Sequence, residues 1–140
     1  MGTRIQVAFD AADPHALARF WAEALRYRQE DHSGIIAELL AAGHLSPSEV
    51  VEVDGHPAFR DVAACSDPDA TGPRLFFQRV PEPKTAKNRV HLDLQVGPDH
   101  REAEVERLTA LGATVAWTTS DRGPVNTTLR DPEGNELCVS

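Results

Sequence analysis

Residues 89–97 read RVHLDLQVG, and residues 4–12 read RIQVAFDAA. Both alternate apolar and polar positions. In the first copy Ile5, Val7 and Phe9 alternate with Gln6, Ala8 and Asp10. In the second, Val90, Leu92, Leu94 and Val96 alternate with His91, Asp93 and Gln95. A period of two over this length predicts strands that rest one face on a packed core. The copies stand 85 residues apart, so the chain is read as an internal duplication.

Each strand is followed by a helix signal. Asp13-Pro14 supplies an N-cap acid and a proline at the first helical position. Leu17, Phe20, Trp21, Ala24 and Leu25 then form one apolar stripe. In the second copy Asp99 and Glu102 have capping-box spacing, Val105, Leu108 and Leu111 supply the stripe, and Gly112 ends it. A second pair of segments repeats as well. Residues 67–77 read DPDATGPRLFF and residues 131–139 read DPEGNELCV, each an Asp-Pro turn, a glycine and a strand. Strands over 113–120 and 125–130, joined by the turn Asp121-Arg122-Gly123-Pro124, complete a strand–helix–strand–strand–strand order in the second half.

The first half carries extra length over residues 31–58. Ile35, Ile36, Leu39 and Leu40 predict a short helix ending near Gly43, and Ser46-Pro47-Ser48-Glu49 predicts a capped helical turn. This helical insertion is expected to replace one strand of the first module, either as a lid or as packing. Module one then spans about 3–80, a Pro-containing polar linker covers 81–88, and module two covers 89–140, all within one domain of 140 residues.

Composition narrows the classes of function. Acids outnumber bases 22 to 14, for a net charge of −8. No surplus of cations exists to neutralise nucleic-acid phosphates or to dock on an anionic membrane. No apolar run approaches the ~20 residues of a membrane helix. Met1-Gly2-Thr3-Arg4 leads into a strand-like segment without a signal-peptide pattern. Two cysteines, Cys65 and Cys138, make no disulfide framework. A cytoplasmic, reduced protein is expected. Arginine dominates lysine, which is found only at Lys84 and Lys87, in the manner of a GC-rich bacterial genome. Glycine-rich phosphate loops, Cys-x-x-Cys pairs and nucleophile elbows are absent from the sequence.

Tandem βαβββ modules with these motifs resemble the vicinal oxygen chelate superfamily. The motifs are RVHLDLQV at 89–96, Asp131-Pro132-Glu133-Gly134-Asn135, Phe20-Trp21, and RLFFQRVPEPKTAKNRVHLDL at 74–94. Within that superfamily the chain is similar to bacterial glyoxalase-like and bleomycin-resistance-like proteins. The resemblance implies an α+β fold, with two modules forming a curved mixed sheet around a cup-shaped pocket. It also implies a small-molecule ligand and, by analogy, a homodimer. Family members place metal ligands on the first and last strand of each module. The matching positions are Gln6, His91, Cys138 and Gln78, with Phe76 as the alternative to Gln78 from the repeat alignment.

That inventory holds one imidazole, one thiol and two neutral amides, and Cys138 stands where metal-binding members carry Glu. It is poor for a divalent ion, so no metal and no cofactor is expected. His91 with Asp93 on the same strand face is the candidate acid–base pair, although same-face neighbours on a strand lie ~7 Å apart at the backbone. Gln6, Gln78, His91, Trp117 and Cys138 are the candidate ligand-binding residues. Trp117 is placed there for stacking, with core packing as its other reading. Cys138 and Cys65 are read as inert thiols. Three functions follow: a metal-free pocket protein that sequesters a small organic molecule or catalyses a lyase- or isomerase-type step; a metal-dependent lyase, isomerase or dioxygenase; and a non-catalytic interaction module. Fold alone does not choose among them.

Overall fold

Asp13 starts the first helix as its sequence predicts: its carboxylate accepts the Ala16 N–H at 3.1 Å. The computed structural model in which this is seen describes residues 1–121 and 123–140. Arg122, and with it the middle of the expected 121–124 turn, lies outside the described residues. The chain divides into two compact units, Met1–Pro81 and Glu82–Ser140.

In unit 1, β1 (Gln6–Ala11) leads into α1 (Pro14–Leu25), followed by β2 (Arg28–Gln29) and α2 (Ser33–Ala41). Then come β3 (Val50–Val53), β4 (His56–Phe59), β5 (Val62–Ser66) and β6 (Arg74–Arg79). Four strands form a mixed sheet in the order β1-β6-β5-β2, with β1 and β6 parallel. Alternation decides its two faces. Val7, Phe9, Leu75 and Phe77 meet the apolar stripe of α1, where Leu17 and Trp21 are fully buried. Phe9 stacks on Phe77 at 5.1 Å and tilts against Trp21 at 5.2 Å. Burying Trp21 and Phe77 contributes about 2–3 kcal/mol each.

The strand expected to be missing survives as the two-residue β2, which pairs with Ser66 and Cys65 of β5. The insertion is only partly helical. α2 and a capped 3-10 turn over Pro47–Glu49 stand where predicted, but β3 and β4 form a hairpin beyond them. Its turn is Asp54-Gly55, with both residues at positive φ (51° and 81°). Asp-Gly is the usual two-residue hairpin turn, a signal that the helical reading of this segment passed over. His15 holds the hairpin through the Phe59 carbonyl at 2.6 Å, and Arg19 through Asp54 at 2.9 Å.

In unit 2 the order is β7 (Leu92–Leu94), α3 (Arg101–Leu111), β8 (Thr114–Thr119), β9 (Asn126–Arg130) and β10 (Glu136–Val139). The sheet order β7-β10-β9-β8, with β7 parallel to β10, repeats the topology of unit 1. The chain is therefore an α+β protein built from two βαβββ modules. Leu94, Leu129, Leu137 and Val139 form the buried face with Leu108 of α3. Two local expectations fail. The strand keeps only three of the residues in 89–97, because Val90 is 80% exposed and has no core to cover. The N-cap of α3 is His100 without a side-chain cap, not Asp99. Both Asp-Pro turns are built alike. Asp67 accepts the N–H groups of Asp69, Thr71 and Gly72, and Asp131 those of Glu133 and Asn135. The Thr71 hydroxyl also donates to Asp67 at 2.7 Å, and that bond above all, with the N–H groups of Asp69 and Gly72, holds the Asp67 carboxyl down to about 2. The two turns deliver the chain into β6 and β10.

Candidate functional site

The open face of the unit 2 sheet carries a row of polar side chains. Asp93 of β7 registers with Cys138 of β10, Cys138 with Thr128 of β9, and Thr128 with Trp117 of β8. The row thus crosses all four strands. His91, two residues before Asp93, lies on the same face and donates Nδ1–H to the Asp93 carboxylate at 2.9 Å. A carboxylate only accepts, so the ring hydrogen sits on Nδ1 and Nε2 is left as the basic atom. The ~7 Å backbone spacing is bridged because His91 precedes the strand proper and its side chain folds toward Asp93.

Cys138 shares a 3.3 Å hydrogen bond with the Thr128 hydroxyl. Burial pushes its thiol up; nearby Asp93 adds to this, while Thr128 and Lys87 pull the other way. One imidazole nitrogen, one carboxylate oxygen and Sγ of His91, Asp93 and Cys138 lie within 4.8 Å of one another, the only such group among the described residues.

Trp117 reaches this face through a β-bulge. The ladder runs Val115↔Leu129 and then Trp117↔Thr128, leaving Ala116 unpaired. Strict alternation places Trp117 with Val115 on the core face. The extra residue turns it over, as bulges do. Its ring is 41% exposed, with Lys87 Nζ 5.7 Å and Arg130 Cζ 5.9 Å from the centroid. Each such contact contributes about 0.5–1 kcal/mol. Lys87 also ion-pairs at 2.5 Å with Glu136, which is 5% exposed. That hydrogen bond holds the Glu136 carboxyl below its usual range. A hollow of about 730 Å³ lies over this face, walled by His91, Cys138, Thr128, Asn126, Trp117, Lys87 and Glu136.

Three of the sequence candidates thus line one hollow: His91, Trp117 and Cys138. Asp93 orients the first of them. The sequence places Lys87 in the linker, and no signal there marks it. Thr128 and Asn126 are legible only as the polar positions of an alternating strand.

Gln6 and Gln78 belong to the open face of unit 1. Gln6 accepts from Arg74 at 2.8 Å, and Gln78 donates to Asp10 at 2.8 Å. The register makes Phe76, opposite Ala8, the counterpart of Cys138, as the glycine-anchored alignment of the repeats indicates. Gln78 lies one pleat farther along. Arg74 grips Glu30 at 2.6 Å and 2.8 Å, holding that carboxyl down to about 2, with Ser66 and His32 assisting. Cys65, fully buried, is pushed up to about 12 by that burial.

No helix among the described residues is long and apolar enough to cross a membrane. No protein of curated function matches the chain. Among solved structures it is similar to the fosfomycin resistance protein FosX from Mesorhizobium loti (TM-score 0.65, 11% identity, covering 99% of this chain and 90% of that one). It is also similar to a glyoxalase/bleomycin resistance protein/dioxygenase family enzyme from Burkholderia phytofirmans (0.62, 15%, 96% and 94%). A third is a mutant FosX from Listeria monocytogenes complexed with Mn(II) and a dihydroxypropylphosphonic acid (0.60, 10%, 99% and 89%). Identities this low establish the fold. The glyoxalase-like domain model matches residues 6–140, and with that match over nearly its whole length the chain belongs to the glyoxalase-like domain family.

Proposed function

We propose that the hollow on the unit 2 sheet binds a small polar organic molecule, with a flat portion against Trp117 and a proton-bearing group toward His91. The observation that carries this reading is the convergence of an oriented His91–Asp93 pair, an exposed indole and hydroxyl and amide groups on one concave wall. Binding is supplied by Trp117, Thr128 and Asn126. A proton is taken or given by His91 Nε2 while Asp93 holds the ring. Lys87 and Glu136 neutralise each other, so the wall presents polar groups without a large net charge. This chemistry suits sequestration, or a lyase- or isomerase-type proton transfer in which no metal takes part.

The test is tryptophan fluorescence under chelation, with a panel of small oxygenated and aromatic molecules. Saturable quenching that disappears in Trp117→Phe and weakens in His91→Ala is the expected result. Quenching that survives Trp117→Phe arises at Trp21 instead and removes the assignment of this hollow, as does a panel without a binder.

A second reading is favoured by one specific observation, the clustering of His91, Asp93 and Cys138. The donors are chemically suited to a divalent ion: imidazole, carboxylate and thiolate together carry two negative charges, and His91 and Cys138 line the hollow. The expectation of a metal-free site counted Gln6 and Gln78 as the remaining donors and did not count Asp93. An ion held by these three residues would supply Lewis acidity to ligand oxygens. Thr128 would then hold the sulfur, and Trp117 would position the ligand. The family's metal-dependent lyases, isomerases and dioxygenases supply the reaction classes for this reading.

A further inference from the structure

Resting on the second reading above, we infer that the His91–Asp93–Cys138 cluster is a site for a thiophilic divalent ion of the zinc class and discriminates against Mg²⁺ and Mn²⁺. The argument starts from the donors. Hard ions require a shell dominated by oxygen, with near-octahedral geometry for Mg²⁺. Here one oxygen donor, Asp93, stands beside one nitrogen and one sulfur. Glu136, the other carboxylate on this part of the wall, is occupied by Lys87 at 2.5 Å.

The backbone also preorganises the three donors. Asp93 and Cys138 are direct partners across a parallel strand pair, and His91 lies beside Asp93 at 2.9 Å, a hydrogen bond that an ion held by all three residues would replace. In tetrahedral zinc sites, donors about 2.0–2.3 Å from the ion lie roughly 3.3–3.8 Å apart. The observed limit of 4.8 Å therefore asks for side-chain adjustments on the order of 1 Å. Thr128, bonded to Sγ at 3.3 Å, holds the sulfur, the kind of supporting contact that tunes a metal site. An ion held by these three residues beside the hollow that His91 and Cys138 line would keep a place for an outside ligand, as catalytic rather than structural zinc sites do.

The experiment uses the full chain, reduced and stripped of metal, with Co²⁺ as the optical probe. One equivalent is expected to produce a thiolate-to-cobalt charge-transfer band and the intense visible bands of a four-coordinate ion. Zn²⁺ should displace it, and excess Mg²⁺ or Mn²⁺ should not. Cys138→Ser should lose the charge-transfer band, while Cys65→Ser should keep it. Any N/O/S site prefers Zn²⁺ to Mn²⁺ to some degree, so the decisive quantity is the ratio of their affinities. Calorimetry should show it falling about tenfold or more in Cys138→Glu, because a hard oxygen replaces the sulfur. If Cys138→Glu does not fold, the same ratio is read in Cys138→Ser. Absence of binding by every ion refutes the metal reading together with this inference. Binding without the charge-transfer band, or with an unchanged Zn²⁺/Mn²⁺ ratio, refutes the thiophilic preference alone. Ligand binding under chelation is measured separately, so the pocket reading stands or falls by its own test.

Discussion

Breaking the Glu30–Arg74 pair should destabilise unit 1 in a pH-dependent way. Glu30 follows β2, the two-residue edge strand, and Arg74 opens β6. The pair, with Ser66 and Gln6 attached, ties the edge of the sheet to its middle. Glu30 drops from 4.5 to about 2, which at about 1.36 kcal/mol per unit sets an upper bound of about 3 kcal/mol. Glu30 is 24% exposed but Arg74 is 38% exposed, and solvent screening reduces the expected coupling to about 1–2 kcal/mol. The sign follows from the depressed value. The contribution is fully present above 4.5, declines as pH falls toward about 2, and is less than half its neutral size near pH 3. The assay is a double-mutant cycle in urea with Glu30→Gln, Arg74→Met and the double variant, run at neutral pH and near pH 3. Coupling below about 0.5 kcal/mol at neutral pH, or coupling that does not shrink on acidification, refutes the reasoning.

Lys87→Met strands the buried Glu136 carboxylate. It should cost about 1–2 kcal/mol at neutral pH, less than a fully buried pair because Lys87 is half exposed. Since Lys87 holds Glu136 below its usual range, the loss should fade on acidification, and a pH-independent loss in urea melts contradicts the pairing. In chelated native protein a water-soluble thiol reagent should modify Cys138, while Cys65, fully buried with its thiol near 12, should react only on unfolding. Peptide mapping distinguishes the two, and equal rates would place Cys65 wrongly. Leu137→Ala removes a fully buried side chain from β10, directly behind the polar row, and should cost about 2–5 kcal/mol. A urea midpoint within error of the parent protein would show that this face is not packed.

Much of the architecture was readable in advance because it is written in short-range chemistry. Alternation at 4–12, the Asp13-Pro14 cap, the stripe through Leu17 and Trp21, and the paired Asp-Pro turns each act over a few residues, and each is found in the fold; the alternation at 89–97 survives as strand only over Leu92–Leu94. The hairpin at Val50–Phe59 was legible too, in Asp54-Gly55. The short strand β2 was not, since two residues carry no period. Of the candidate site, the family resemblance points to His91 and Cys138, and strand parity adds Asp93 to His91.

The sequence by itself thus determined the duplicated βαβββ order and the buried faces of both sheets. These depend on residues close together in the chain. Tertiary structure decided which candidate side chains meet. Asp93 and Cys138 are 45 positions apart in the sequence and become neighbours only through the parallel register of β7 and β10. It also decided the face of Trp117. A single unpaired residue, Ala116, inverts the alternation on which any sequence reading of that strand relies. Register and bulges are settled by pairing between strands, and pairing is a property of the whole sheet.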